Sequence, residues 1–542
     1  MPDHSVTILD FGFAVIHGRK GIRAPPRGGI ARYFEPEYVS AYLRREDIPT
    51  ASFAGDQYAL AVLLYELISG ADYLDFSHEK RTMFEQIANE APRSFSDRGV
   101  APWWAVEATI AKALSKEPAD RFSSVAEFAA TLRAAGANVR SGFPALRAAQ
   151  DTQVSKIVSE LAKSAHELLS SPQSDSSLRA PTCSINYGLA GLAYTMYRMA
   201  CSRDDPGLLS GADACAEKAI LLSNRTNAFH NADIGITAEV VGSVSVYHTL
   251  SGLFAVRALV SHAMGDFATQ NAALRGFVSH SSYPCDNLDI TLGRSSTLLA
   301  CSLLLRSAPV NNLVNTAPLV ALATATLTDL WTSLDRMPAI AECAELPQLG
   351  MAHGWAGFLY ATLRWCQAAQ VQIPERLRQR LEELAACRTT AGRGLRWRRK
   401  IALGASRTRA DYMPGWCNGS AGFVHLWTLA HEMLSDDVFA KLAEGSATNA
   451  WDSEETSPNL CCGTTGRSYA LLNMYRSSGD VKWLHRARKL SRLSTAGAAR
   501  VLNGQHSPRY SLYKGRLGVE ALVVDLTEPD AASMPFFEAE GW

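Results

Sequence analysis

Trp416-Cys417-Asn418-Gly419-Ser420-Ala421-Gly422 and Leu460-Cys461-Cys462-Gly463-Thr464-Thr465-Gly466 are two copies of one local pattern. In each, a cysteine stands two residues before the first glycine of a G-x-x-G unit, and in the second copy another cysteine fills the position between. The unit recurs seven times, opening at Gly188, Thr249, Gly293, Gly354, Gly419, Gly463 and Gly515; Thr249 and Ser296 stand where a glycine is lost. Each opening leads into an apolar run such as Phe358-Leu359-Tyr360-Ala361-Thr362-Leu363, with room for a second helix before the next opening. A helix that is apolar nearly all round must be buried, so the runs predict an inner ring of helices in a stacked or closed array of helical pairs. The glycines are expected to tolerate positive φ and to let helix ends crowd a shared centre.

The chain has 542 residues, 47% of them hydrophobic, which is enough for two or more cores. Lys+Arg and Asp+Glu are both 53, so no global charge favours nucleic acid or an acidic membrane. The best apolar stretch, Tyr58 to Ile68, is short and contains Glu66, which suits a buried helix and not a bilayer span. With no signal-like segment at the N-terminus, the expected location is cytoplasmic.

All 11 cysteines lie at or after Cys183, an odd count that argues for reduced thiols. Cys201, Cys215, Cys301, Cys366 and Cys387 sit in apolar helical runs, where a cysteine acts as a small buried hydrophobe. Cys417, Cys461 and Cys462 differ: flanked by glycine, they make a three-thiolate zinc site with an open fourth position. The plain alternatives are ordinary buried cysteines or a structural site, and a structural zinc usually takes four protein ligands.

The first part of the chain has another signature. Val6-Thr7-Ile8-Leu9 runs into Asp10-Phe11-Gly12, followed by Pro36-Glu37, by Asp56-Gln57-Tyr58 opening a helix, and by Lys116-Glu117-Pro118-Ala119-Asp120-Arg121-Phe122 before a last helix. This order resembles the C-terminal lobe of protein kinases. The resemblance implies that Asp10 holds Mg²⁺ of a bound ATP when the lobe is completed, that Asp56 braces the catalytic loop, and that Glu37 pairs with Arg121. No glycine-rich loop, Val-Ala-Ile-Lys strand or His-Arg-Asp loop precedes Asp10, so this chain alone is expected not to phosphorylate, a point an ATP-turnover assay checks. Either a longer reading frame or a separate kinase or lyase chain would supply the missing parts; an inert scaffold is the other reading.

Residues 1–135 are therefore read as a partial kinase-like lobe, 136–149 as a linker and 150–542 as a helical-repeat domain. Val154, Ile157, Val158, Leu161, Ala165, Leu168 and Leu169 predict the first helix of that domain.

Seven repeats carrying Ala352-His353-Gly354-Trp355-Ala356-Gly357, Trp416-Cys417-Asn418-Gly419 and Cys461-Cys462-Gly463 resemble the lanthionine cyclase family, over about Gln150 to Trp542. The resemblance implies a mainly α fold, an α/α toroid of seven helical hairpins with zinc near the centre of one end. Joined to a kinase-like lobe, it is similar to class IV lanthipeptide synthetases; class III relatives lack the zinc ligands. The implied reaction is addition of a cysteine thiolate to dehydroalanine or dehydrobutyrine in a ribosomal precursor peptide with a Ser/Thr/Cys core, closing a thioether ring. Zinc deprotonates the thiol, and the enolate then needs a proton.

His353, directly before its glycine as Cys462 is before Gly463, is the proton donor in this reading. Asp289, four residues before Gly293, matches the family's Asp-x-x-x-Gly element and would orient the substrate or help take up the thiol proton. His248 shares His353's position and is a rival acid. Two departures stand out: Cys462 occupies a place where many cyclases have His, and Met413 one where some have Arg. Tyr412 and Trp416 either line the site or pack. Arg393, Arg396, Arg398, Arg399, Lys400, Arg407 and Arg409 either grip an acidic leader peptide or form a solvated loop. Addition of a small thiol such as glutathione to dehydroamino acids, and a non-catalytic docking scaffold for precursor peptide, are the competing functions.

Overall fold

The computed structural model describes residue 14 and residues 27–77, 79–98, 103–137, 143–170, 178–308, 313–401, 412–501 and 510–538. Asp10, Arg407 and Arg409 lie outside them. The chain divides into two compact units, Met1–Ala149 and Gln150–Trp542.

The first unit contains α1 (Pro36–Arg44), α2 (Phe53–Ser69), α3 (Lys80–Asn89), α4 (Trp104–Ala113) and α5 (Val125–Ala137). Tyr58, Ala61, Val62 and Tyr65 of α2 pack with Ile110, Ala113, Phe122 and Phe128 in its main core. Arg121 is buried and clasps Glu37 through two parallel contacts of 3.0 and 2.7 Å, so the expected pair forms. Gln57 holds the backbone of Phe122 through both its amide groups. Segments 84 and 65 residues apart are thereby fastened together by polar groups that satisfy one another.

α6 (Phe143–Ser170) runs across the division into the second unit, which then alternates inner and outer helices. The pairs are α7 (Leu189–Arg203) with α8 (Pro206–Leu222), followed by the short α9 (Ala238–Val241), and α10 (Leu250–Ala263) with α11 (Phe267–Ser281). Next come α12 (Arg294–Arg306) with α13 (Ala317–Leu334), and α14 (Trp355–Ala369) with α15 (Leu377–Ala386). A hairpin of β1 (Thr389–Ala391) and β2 (Gly394–Arg396) precedes α16 (Ser420–Leu434) with α17 (Asp437–Asp452), α18 (Thr464–Ser478) with α19 (Val481–Val501), and α20 (Arg516–Asp525). Inner helices are buried on every face: in α7 every residue from Leu189 to Ala200 is buried. Outer helices bury one stripe, as α17 does with Phe439, Leu442, Ala443, Ser446, Ala447 and Ala450. The ring closes where α20 packs on α7. No outer helix follows α20 among the described residues; α6 lies along it, with Glu160 paired to Arg516 and Lys218 of α8 donating to the Leu168 carbonyl. Among the described residues no helix is long and apolar enough to cross a membrane.

All seven predicted openings are the residues that precede the inner helices, but their glycines serve a purpose other than the expected one. Gly419 has φ −136° and ψ −170°, an extended backbone that any residue adopts. What glycine supplies is space, because the chain before each opening folds back over the helix start. The N–H groups of Ser420 and Ala421 donate to the carbonyls of Met413 and Pro414, satisfying donors that a helix start leaves free. A Cβ on Gly419 would lie 1.9 Å from the Met413 oxygen, and one on Gly422 2.3 Å from that of Trp416.

The seven openings are then stitched to one another. Each contributes the residue two before its opening position: Asn186, Tyr247, Thr291, Ala352, Cys417, Cys461 and Tyr513. The N–H of Ala352 donates to Cys417 O (2.7 Å), that of Cys417 to Cys461 O (3.1 Å) and that of Cys461 to Tyr513 O (2.9 Å). Leu512 N–H meets Asn186 O, Asn186 N–H meets Tyr247 O, Ser245 Oγ donates to Thr291 O (2.6 Å), and Thr291 Oγ1 to Ala352 O (3.1 Å). The circuit is complete, with seven inner-helix N-termini at one end of the toroid.

Candidate metal centre and active site

Cys417 and Cys461 are consecutive members of this circuit, and Cys462 is the next residue along the chain. Their sulfurs cluster: Cys462 Sγ is 3.4 Å from both Cys417 Sγ and Cys461 Sγ, with no disulfide among them. A tetrahedral zinc with Zn–S distances near 2.3 Å separates its sulfurs by about 3.7 Å, so these two separations fit the ion with a small outward adjustment, and all three sulfurs lie within 4.8 Å of one another. Among the described residues this is the cluster of potential metal-binding side chains, and it has three members. Contacts with its two neighbours push the Cys417 thiol well above its ordinary range, whereas the same contacts, reinforced by Lys514, pull Cys462 far down. Cys462 therefore holds a thiolate most readily.

Lys514 was not singled out in the sequence. Its Nζ donates to Cys462 Sγ at 3.3 Å. Burial lowers its affinity for a proton, and the Cys461 and Cys462 sulfurs more than reverse that, so the ammonium is retained. The signal was nevertheless present, because Lys514 stands directly before Gly515, the place of His353 and Cys462 in their own repeats.

His353 sits beside Ala352, whose N–H is bonded to Cys417, so the imidazole belongs to the opening next to the sulfurs. Its side chain is 37% exposed, and Nδ1 lies 3.0 Å from Asp289 Oδ2 and 3.2 Å from Thr291 Oγ1. The other Asp289 oxygen accepts the Thr291 N–H at 2.9 Å and also takes that of Leu292, which anchors the carboxylate to its own turn. Asp289 thus holds the His353 ring in one orientation through Nδ1.

His248 is placed differently. Burial holds its pKa down at about 4, with Asp289 opposing and His353 reinforcing, so it is neutral near pH 7. Nε2 lies 3.4 Å from Asn186 Nδ2. A neutral ring is a poor general acid, and His248 is buried without the carboxylate contact that His353 makes to Asp289.

Trp416 packs. It is 1% exposed, with its ring against Tyr513 and edge-on to Phe537. Tyr412 sits on the basic hairpin, under the Arg396 guanidinium at 3.9 Å and accepting from Arg398 Nε at 3.2 Å. Met413 spends its carbonyl on the start of α16.

The floor beneath the circuit comes from the C-terminal segment. Tyr247 and Tyr513 donate their hydroxyls to the carbonyls of Phe536 and Pro535, each at 2.9 Å, and the Phe536 N–H donates to Tyr194 Oη at 2.7 Å. Phe537 stacks on Tyr360 at 4.3 Å, and Glu538 accepts from Asn473 (2.6 Å) and Arg476 (2.8 Å), with Arg364 and His425 close by.

Comparison with known proteins agrees with this architecture. Residues 179–539 match the family model "Lanthionine synthetase C-like protein". The solved structure of a nisin cyclase superposes with a TM-score of 0.52 at 14% identity, covering 69% of this chain and 95% of that one, a likeness of fold. The zebrafish (Danio rerio) protein named glutathione S-transferase LANCL1 is 24% identical over 213 residues, 38% of this chain and 49% of its own length. The Arabidopsis thaliana LanC-like protein GCL1 is 27% identical over 133 residues, 24% of this chain and 31% of its own. The matched stretches thus span about half and about a third of these two relatives. With the family model covering most of the chain and the seven-membered toroid in place, this protein belongs to the lanthionine synthetase C-like family.

Proposed function

We propose that the second unit forms lanthionine or methyllanthionine rings in a ribosomal precursor peptide. The observation that carries this reading is the adjacency of the three cysteine sulfurs to an aspartate-held histidine on one hydrogen-bonded circuit. Cys417, Cys461 and Cys462 would hold zinc, with the fourth position left to the substrate. Zinc, when bound, lowers the pKa of a substrate thiol so that it adds as a thiolate. As the new C–S bond forms at the β-carbon of the dehydroamino acid, the alkene electron pair moves toward the carbonyl. Protonated His353 delivers its Nε2 proton to the α-carbon of that enolate, and Asp289 keeps the Nδ1 proton in place throughout.

Ring closure is measured with purified full chain and a dehydrated Ser/Thr/Cys peptide, alongside zinc stoichiometry. Cys417→Ala is expected to lose both zinc and ring formation. Retention of full ring-forming activity without zinc sinks the proposal.

A second reading is favoured by the name of the zebrafish relative: transfer of a small thiol such as glutathione to a dehydroamino acid. The same sulfurs and His353 would serve it. Competition between glutathione and an internal cysteine of one peptide separates the two, since a cyclase gives rings with glutathione in excess. Chain that binds peptide but joins no thiol to it would instead favour a docking scaffold.

For the first unit we keep the kinase-lobe reading, supported by the Glu37–Arg121 clasp.

A further inference from the structure

The residues directly before the seven openings run around the circuit in the order Tyr187, His248, Leu292, His353, Asn418, Cys462 and Lys514, with Lys514 and Cys462 on neighbouring openings. The proposed reaction uses His353 and Cys462 and gives Lys514 no part. Its position is nonetheless specific. The side chain is partly buried, its backbone N–H is held by Ser511 Oγ at 2.9 Å, and its Nζ contacts the sulfur of the cysteine that departs from the family's usual His.

Charge counting explains why that contact matters. Two thiolates and a neutral histidine around a divalent ion sum to zero, and a substrate thiolate brings the total to −1. Three thiolates sum to −1, and a substrate thiolate brings the total to −2. In a partly desolvated site that second negative charge opposes entry of the substrate sulfur. One ammonium beside the additional thiolate returns the sum to that of the histidine version.

We propose that Lys514 is the counter-charge that lets the all-cysteine centre accept a fourth thiolate, making it a positioning residue for the thiol substrate matched to Cys462. The inference rests on the zinc-site reading above. The seven inner-helix N-termini at the same end act in the same direction but do not distinguish a cysteine centre from a histidine one. Lys514 does, because its partner is the varied ligand.

The test uses full chain loaded with Co²⁺, whose thiolate charge-transfer absorption reports sulfur ligands, titrated with N-acetylcysteine methylamide at one fixed near-neutral pH. This probe carries no carboxylate, so any effect of Lys514 acts on the sulfur. Lys514→Met is expected to weaken thiol binding on the order of tenfold while cobalt stoichiometry stays the same, and Lys514→Arg to restore most of it. In a Cys462→His background the Lys514→Met loss should shrink to about twofold or less, since the charge it balances is gone. Should Lys514→Met fail to fold, Lys514→Gln serves in its place. Equal thiol affinity in wild type and Lys514→Met, or the same loss in both backgrounds, overturns the inference. Wild-type chain that takes up no cobalt overturns the metal reading and this inference with it, an outcome distinct from cobalt uptake with unaltered affinity.

Discussion

At the residue scale, the proposed reaction assigns separable roles to two small groups of side chains. His353→Asn keeps a polar group near Asp289 but cannot deliver a proton, so ring formation should fall by about 10²- to 10⁴-fold while zinc content is unchanged. Loss of zinc in that variant would show that the histidine supports the metal. Cys462→His tests the departure from the family pattern. A third thiolate makes the ion less electropositive and a bound substrate thiolate more nucleophilic, so Cys462→His should retain metal and cyclise more slowly. An unchanged rate removes that explanation. The residue types were readable in advance, because a cysteine or histidine next to a glycine-marked helix start stands out from apolar surroundings. What Asp289 touches was not readable: Asp289 and His353 are 64 positions apart and meet only because the third and fourth openings are neighbours.

At the element scale, the opening glycines are needed for room. Gly419→Ala places a Cβ 1.9 Å from the Met413 oxygen, against backbone that is itself hydrogen-bonded to the helix start. The variant should lose ~1–3 kcal/mol or more of stability, read as a lower thermal midpoint, and its zinc affinity should fall with it because Cys417 lies two residues away. A variant as stable as wild type would show that the loop relaxes freely. Periodicity located the inner helices well, since their burial on all sides leaves long apolar runs. It could not place the outer partner of α20, which comes from α6 at the other end of the domain.

At the scale of the whole molecule, the toroid is held at its axis by a polar anchor. Burial by itself would raise the Glu538 carboxyl, yet Arg476, His425 and Arg364 hold it well below the usual carboxylate range. A depressed folded pKa contributes stability above the unfolded value of about 4.3 and loses it as the pH falls through the folded value. Glu538→Gln should therefore cost ~3 kcal/mol near neutral pH, and its unfolding curve should approach that of wild type below about pH 4. Parallel stability profiles across that range would dismiss the anchor. Because Phe537 and Pro535 support Trp416 and Tyr513, neighbours of Cys417 and Lys514, the same variant should also loosen metal binding.

The sequence by itself determined where the inner helices begin, how many there are, and which residue types stand at their starts. Those properties are local: a helix opening is set by glycine spacing and by the apolar period that follows it. Only the tertiary structure decided which openings touch, that Lys514 reaches Cys462, and that the C-terminal segment fills the axis. Such contacts join positions like Arg198 and Asp525, 327 residues apart. They exist only once the ring has closed, and no local pattern carries the geometry of closure.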